Sequence, residues 1–163
     1  MDRIETPFAG LRLTYRSAKD FDDLHAALLA DVGDRPVPIG DIAAATKTWD
    51  DYEDRVAPHA GPSGFMLFAE LDHGGWLVKA GIDRRVLRAV IGNPLIAITM
   101  MRHDVTAGLF APVELLLTAE PDGGSALTYV QPSSLMVTAP NPALLAAAQD
   151  LDGKLAALAR SII

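Results

Sequence analysis

Acid–base chemistry near neutral pH falls first to histidine, and this chain carries His25, His59, His73 and His103. His73 follows Asp72 and precedes Gly74-Gly75 at the expected end of a strand, a place where sites gather. An Asp-His pair there suits a general acid or base, with Asp72 or His103 orienting the ring. The competing reading makes Asp72 a cap for the next segment, with His73 packed beside it. His103-Asp104 falls late in a helix, where a protonated ring is favoured by the helix dipole alone. No HxxxH or HExxH spacing occurs, so no metal site is expected. One would require His73 and His103 to converge, with Asp72 or Glu70 adding oxygen. His25 and His59 read as solvated residues, one on the polar edge of a helix and one in a proline-rich loop.

Two further sets suit binding. Asn93-Pro94 opens a helix whose first N–H groups are candidate anion donors. Gly92-Asn93-Pro94 nevertheless lacks the glycine spacing of a dinucleotide or phosphate loop. Met66, Met100, Met101 and Met136, with Phe65, Phe68 and Trp76, fit either an apolar pocket or plain core. No GxSxG nucleophile motif is found. The candidate catalytic residues are therefore His73 and Asp72. The candidate ligand-binding set is Asp72, His73, Asn93, His103, Met66 and Trp76. Nothing names a cofactor.

The elements that must position these residues follow from periodicity. Leu11 to Arg16 alternates, which predicts a half-buried strand. Ser17 is the expected cap of a helix carrying Phe21, Leu24, Leu28 and Leu29 and stopping at Gly33. Ile42, Ala45, Trp49, Tyr52 and Val56 predict one amphipathic helix over 41–56, capped by Asp41 and flanked by prolines. Gly64 to Leu71 reads as a strand with Phe65, Leu67, Ala69 and Leu71 on one face. Trp76 to Ala80 allows one or two helical turns. Arg84 to Ile91 is a third strand leading into Gly92-Asn93-Pro94, where Asn93 caps and Pro94 opens a helix with Leu95, Ile98, Met101 and Val105, ending near Gly108. Val113 to Ala119 and Ala126 to Val130 flank a Pro121-Asp122-Gly123-Gly124 turn and should pair antiparallel. Asn141-Pro142 starts a last helix with a long apolar stripe, to be buried on the sheet or on a partner chain. This order predicts an α+β fold: a two-layer sandwich with a mainly antiparallel sheet of about five strands.

Composition sets the outer bounds. The 163 residues suit a single domain over 1–163, and half of them are hydrophobic, enough for a sizeable core. The net charge of −7 argues against nucleic acid as a partner, since the one basic cluster, Arg84, Arg85 and Arg88, has no aromatic ladder beside it. The absence of cysteine excludes disulfides and thiolate metal sites and fits a cytoplasmic location. There is neither a signal-peptide pattern at Met1 to Glu5 nor an apolar run long enough for a membrane span, so no membrane partner is expected.

The stretch from Gly64 to Leu135 resembles the DUF302 family of small prokaryotic domains. The matching residues are Asp72-His73, Ala80-Gly81, Gly92-Asn93-Pro94, Ala107-Gly108-Leu109 leading to Pro112, and Val113 to Leu117. Asp122-Gly123 and Thr128-Tyr129 before Pro132 complete the set. Residues 10–33 and the last helix fit the family's start and end. Ile91 stands where the family commonly has an aromatic residue, and residues 34–63 form a helical insertion relative to it. The resemblance implies a compact α+β domain, often a homodimer, and names no reaction. The expected function is a small-molecule-binding or sensing module with an apolar pocket, partly covered by the 41–56 helix. The alternatives are a homodimeric interaction protein and an enzyme using His73 as general acid or base.

Overall fold

A computed structural model describes residues 1–163. Five strands form one fully antiparallel sheet: β1 (Arg12–Ser17), β2 (Met66–Asp72), β3 (Val86–Gly92), β4 (Val113–Ala119) and β5 (Ser125–Val130). Their order across the sheet is β1-β5-β4-β3-β2. Leu87, Ala89 and Ile91 of β3, Val113, Leu115 and Leu117 of β4, and Leu127 and Tyr129 of β5 point to the core face and are buried. The period-2 alternation explains this, because each inward residue is followed by one on the opposite face.

Helices α1 (Phe21–Val32), α5 (Pro94–Met101) and α7 (Pro142–Ile162) close the core. The stripe of α7, including Leu144, Leu151, Leu155 and Leu158, is buried within this chain, so it is not left for a partner. The smaller helices are α2 (Ile39–Ala44), α3 (Trp49–Val56), α4 (Gly74–Leu77) and α6 (Ser133–Met136). The result is the expected α+β fold. No helix is long and apolar enough to cross a membrane.

Local polar groups moved several boundaries. Asp20, not Ser17, caps α1, with its carboxylate accepting the Asp23 N–H at 2.8 Å. Ser17 instead accepts the Lys19 N–H. The expected helix over 41–56 is two helices. The Thr46 hydroxyl bonds back to the Ile42 and Ala43 carbonyls, and Thr48 turns extended to accept the Asp51 N–H at 3.2 Å. A threonine N-cap followed by Asp50 and Asp51 is a strong start signal, and it outweighs the apolar period that runs across it. Asp41 lies in the first turn of α2 and caps nothing.

Likewise α5 stops at Met101. Asp104 accepts both the N–H and the hydroxyl of Thr106, starting a separate 3-10 segment over Val105–Phe110. Those bonds hold the Asp104 carboxyl below its usual range. Val105, expected on the apolar stripe, is exposed.

Strand β2 also departs from simple alternation. Its register with β3 shifts between Leu67 and Ala69, leaving Phe68 as the extra residue. Such a bulge reverses which face later residues occupy. Leu67 opposes Ile91 on the core face, while Ala69 opposes Val90 and Leu71 opposes Arg88 on the outer face. The four residues Phe65, Leu67, Ala69 and Leu71 therefore do not share a face.

Gly153 lies exposed in the middle of α7, and a Cβ there would meet nothing within 4 Å. Gly153→Ala should raise stability by about 0.5–1 kcal/mol, measured by urea denaturation. An unchanged or lowered midpoint would contradict this packing of α7.

Candidate functional site

Asn93 holds the junction between β3 and α5. Its Oδ1 accepts the Leu95 N–H and its Nδ2 donates to the Gly64 carbonyl, each at 2.8 Å. Gly92 precedes it because the space is taken. A Cβ there would lie 2.8 Å from Cε2 of Phe68 and 3.2 Å from Cβ of Pro112. The Ile96 and Ala97 N–H groups both bond to the Asn93 carbonyl. Pro94 has no N–H, so the first turn of α5 keeps no spare donor for an anion.

A cleft of about 200 Å³ opens at this junction. Phe68, pushed out by the bulge, and Phe65 form one wall. Ile96, Ala97 and Met100 of α5 form another, and Leu151 of α7 closes the depth. Pro112 and Val113 enter from the start of β4. Ile39 of α2 and Tyr52 of α3 complete the lining. None of the 14 lining residues is charged.

The segment carrying these two residues is tied down at both ends. The Val37 N–H donates to the Leu67 carbonyl at 2.9 Å. Gly61 donates to the Phe65 carbonyl at 2.8 Å and lies against the end of α1, where a Cβ would sit 1.6 Å from the Asp31 carbonyl oxygen. Only glycine allows that approach. Within α3, Trp49 donates to Glu53 and Arg55 to Asp51, whereas the half-buried Tyr52 hydroxyl has no hydrogen bond in the chain. Burial pushes the Tyr52 phenol above its ordinary value.

The sequence candidates fall into separate groups. Met66 opposes Gly92 and Asp72 opposes Leu87, so Asp72-His73 lies at the other end of β2 from Asn93, about 20 Å along the strand. Asp72 Oδ1 accepts the Gly75 N–H at 3.2 Å, stabilising the turn into α4. The His73 ring meets Trp76 edge-on at 5.8 Å and has no side-chain hydrogen bond. Trp76 is exposed. His103 is exposed just past α5, and Met66 is fully buried. Neither the cleft nor the larger groove on the outer sheet face is lined by Asp72, His73, Trp76, His103 or Met66. Of the candidate set, only Asn93 reaches the cleft.

No three His, Asp or Glu side chains gather as a metal site, so His73 and His103 do not supply one. His25 pairs with Glu70 at 2.6 Å, fastening α1 to β2, rather than standing solvated. His59 is exposed in a short 3-10 segment, Ala57–His59. The three arginines of the basic cluster are each paired: Arg84 with Glu120, Arg85 with Asp22 and Arg88 with Glu114. Arg85 also lies 4.3 Å above the Phe21 ring, and its hydrogen bond lowers the Asp22 carboxyl.

Phe65, Phe68 and Met100, named in the apolar set, do line the cleft, and Tyr52 comes from the stretch expected to cover it; Ile39 was not anticipated. Nothing local marks which element Ile39 covers.

The family described as "Domain of unknown function DUF302" matches residues 42–162. The chain is also similar to a crystal structure of an uncharacterized conserved DUF302 protein from Bacillus stearothermophilus. That likeness has a TM-score of 0.66 at 16% identity, covering 93% of this chain and 98% of the other. It concerns the fold. No curated protein matches the chain.

Two predictions follow from the polar groups. Asn93→Ala removes both the cap and the Gly64 contact and should cost about 1–3 kcal/mol. Asn93→Ser keeps an uncharged capping oxygen and loses the reach to Gly64, so it should cost less. Equal losses for the two variants in chemical denaturation would contradict the capping role. Burial also raises the Tyr129 phenol, helped by its contact with Tyr15. The folded chain then retains phenolic protons that the unfolded chain releases above about pH 10. Stability is fully present below that pH and falls as pH climbs beyond it. Tyr129→Phe should flatten this fall, as read from melting temperatures across the alkaline range.

Proposed function

The chain belongs to the DUF302 family, and we propose that within that fold it is a small-molecule-binding or sensing module whose ligand occupies the cleft at Gly92-Asn93-Pro94. One observation carries this reading. The cleft lies between sheet and helices, has wholly uncharged walls, and is lined in part by helices from the 34–63 segment. Sites for small molecules are commonly concave and mostly apolar, with few polar groups. Residues 34–63 contribute Ile39 and Tyr52 to the lining and so adapt the cleft to its ligand. The acid–base reading of His73 draws no support from a residue that lines neither concavity.

The test is to fill the cleft. Ala97 is half-buried in its wall. Compounds that raise the melting temperature of the wild type should lose that effect on Ala97→Phe, provided the variant still unfolds cooperatively. A ligand at 100 times its Kd stabilises by about 2.7 kcal/mol, well within reach of the measurement. An undiminished shift in Ala97→Phe would place the ligand elsewhere.

A second reading rests on a different surface. The outer face of the sheet carries Ala69, Leu71, Val90, Leu116 and Val130, with Arg88 paired to Glu114 near its centre. Leu71 is 42% exposed and Val130 38% exposed. Beside them lies a groove of about 500 Å³ bordered by Leu109, Phe110 and Leu135. The occupant we propose is a second copy. A two-fold axis near the central pair sets each Arg88 against the other copy's Glu114, the self-complementarity an isologous interface needs. Sedimentation should then give a dimer that Leu116→Lys converts to a folded monomer. A wild-type monomer at all concentrations would remove this reading.

A further inference from the structure

The cleft's chemistry is selective beyond its shape. We infer that its ligand is a small uncharged molecule, about the size of one substituted ring, whose single polar group meets the Tyr52 hydroxyl. This rests on the reading of the cleft as a binding site and adds the class of ligand and the residue that selects it.

Size sets the first limit. A cavity of about 150 Å³ holds benzene, and this cleft measures about 200 Å³. One ring with a short substituent, or a branched chain of similar bulk, fills it; a nucleotide or a cofactor with fused rings would extend beyond its walls into solvent. Charge sets the second. A charged ligand seated against these walls gives up hydration on its covered side and meets no counter-ion there, which weakens it relative to a neutral one. The helix start gives no relief, because its N–H donors are already used by Asn93.

Polar accounting sets the third limit. Two side chains in the lining carry polar groups, Asn93 and Tyr52. Asn93 is committed through both ends of its amide, to Leu95 and Gly64. Tyr52 is half-buried, its hydroxyl makes no hydrogen bond within the chain and still reaches solvent, and partial desolvation raises its phenol. A ligand hydroxyl, carbonyl or ether oxygen would take the place of water as its partner. A site with a waiting hydrogen-bond group discriminates against analogues that lack one. Tyr52 is thus a specificity residue, and it is delivered by α3, within the 34–63 segment.

Trp49 lies 5.8 Å from the Tyr52 ring, centroid to centroid, and reports on this spot. In a Trp76→Phe background it is the remaining tryptophan. The experiment titrates that protein with benzyl alcohol, toluene, benzoate and benzylammonium, following Trp49 fluorescence and confirming by calorimetry. Benzyl alcohol should bind tightest, toluene several-fold weaker, and both ions at least 10-fold weaker than benzyl alcohol. Adding Tyr52→Phe should weaken benzyl alcohol about 3- to 10-fold and leave toluene unchanged, which also shows that the variant is folded. If the ions bind as well as the neutral probes, or Tyr52→Phe leaves the alcohol-to-toluene ratio intact, the inference on ligand class fails and the cleft reading stands. If no probe binds, the cleft reading fails and takes this inference with it.

Discussion

One buried amide holds together most of what matters here. Asn93 caps α5 with its oxygen and reaches across to the Gly64 carbonyl with its nitrogen. The first bond fixes where the helix leaves the sheet. The second fixes the chain just before β2, and with it Phe65 and Phe68. A side chain that could only accept, or only donate, would satisfy one of these elements and leave the other with an unpaired buried group. Gly92 is the steric half of the same constraint, since Phe68 and Pro112 occupy the space a Cβ would need. The cleft is what remains between the elements so placed.

Much of the fold was legible in the chain. Alternation marked β1, and the 121–124 turn marked the β4–β5 hairpin. The Asn93-Pro94 and Asn141-Pro142 starts gave two helices at their true first residues. These signals are local: a cap, a proline at the first helical position and a period are all read within a few residues. The errors were local contests between such signals. At Thr48 and Asp104 a side chain offered the backbone a better partner than helix continuation did, and an apolar period misled. At Phe68 a bulge changed the parity of a strand, which no single-strand pattern reveals.

The candidate site was less legible, and for a different reason. Asp72 and His73 drew notice because their types and their strand-end position suit chemistry. In the fold Asp72 stabilises a turn, and His73 sits against an exposed Trp76. The cleft is instead assembled from four helices, a bulge and two strand ends, brought together by long-range pairing. Tyr52 and Phe68 belong to it because of where α3 and β2 lie, not because of what surrounds them in sequence. Asn93 could be found from sequence because its capping role happens to coincide with the cleft.

The most direct measurement of the central claim is methyl NMR on protein labelled at methionine and leucine methyls, titrated with benzyl alcohol. Met100 lines the cleft and Leu109 borders the groove on the outer sheet face, while Met66 is buried and lines neither. The account predicts a saturable shift of the Met100 methyl with Leu109 and Met66 unmoved. A Met100 signal that stays fixed while Leu109 shifts would contradict it and move the binding site to the open face of the sheet.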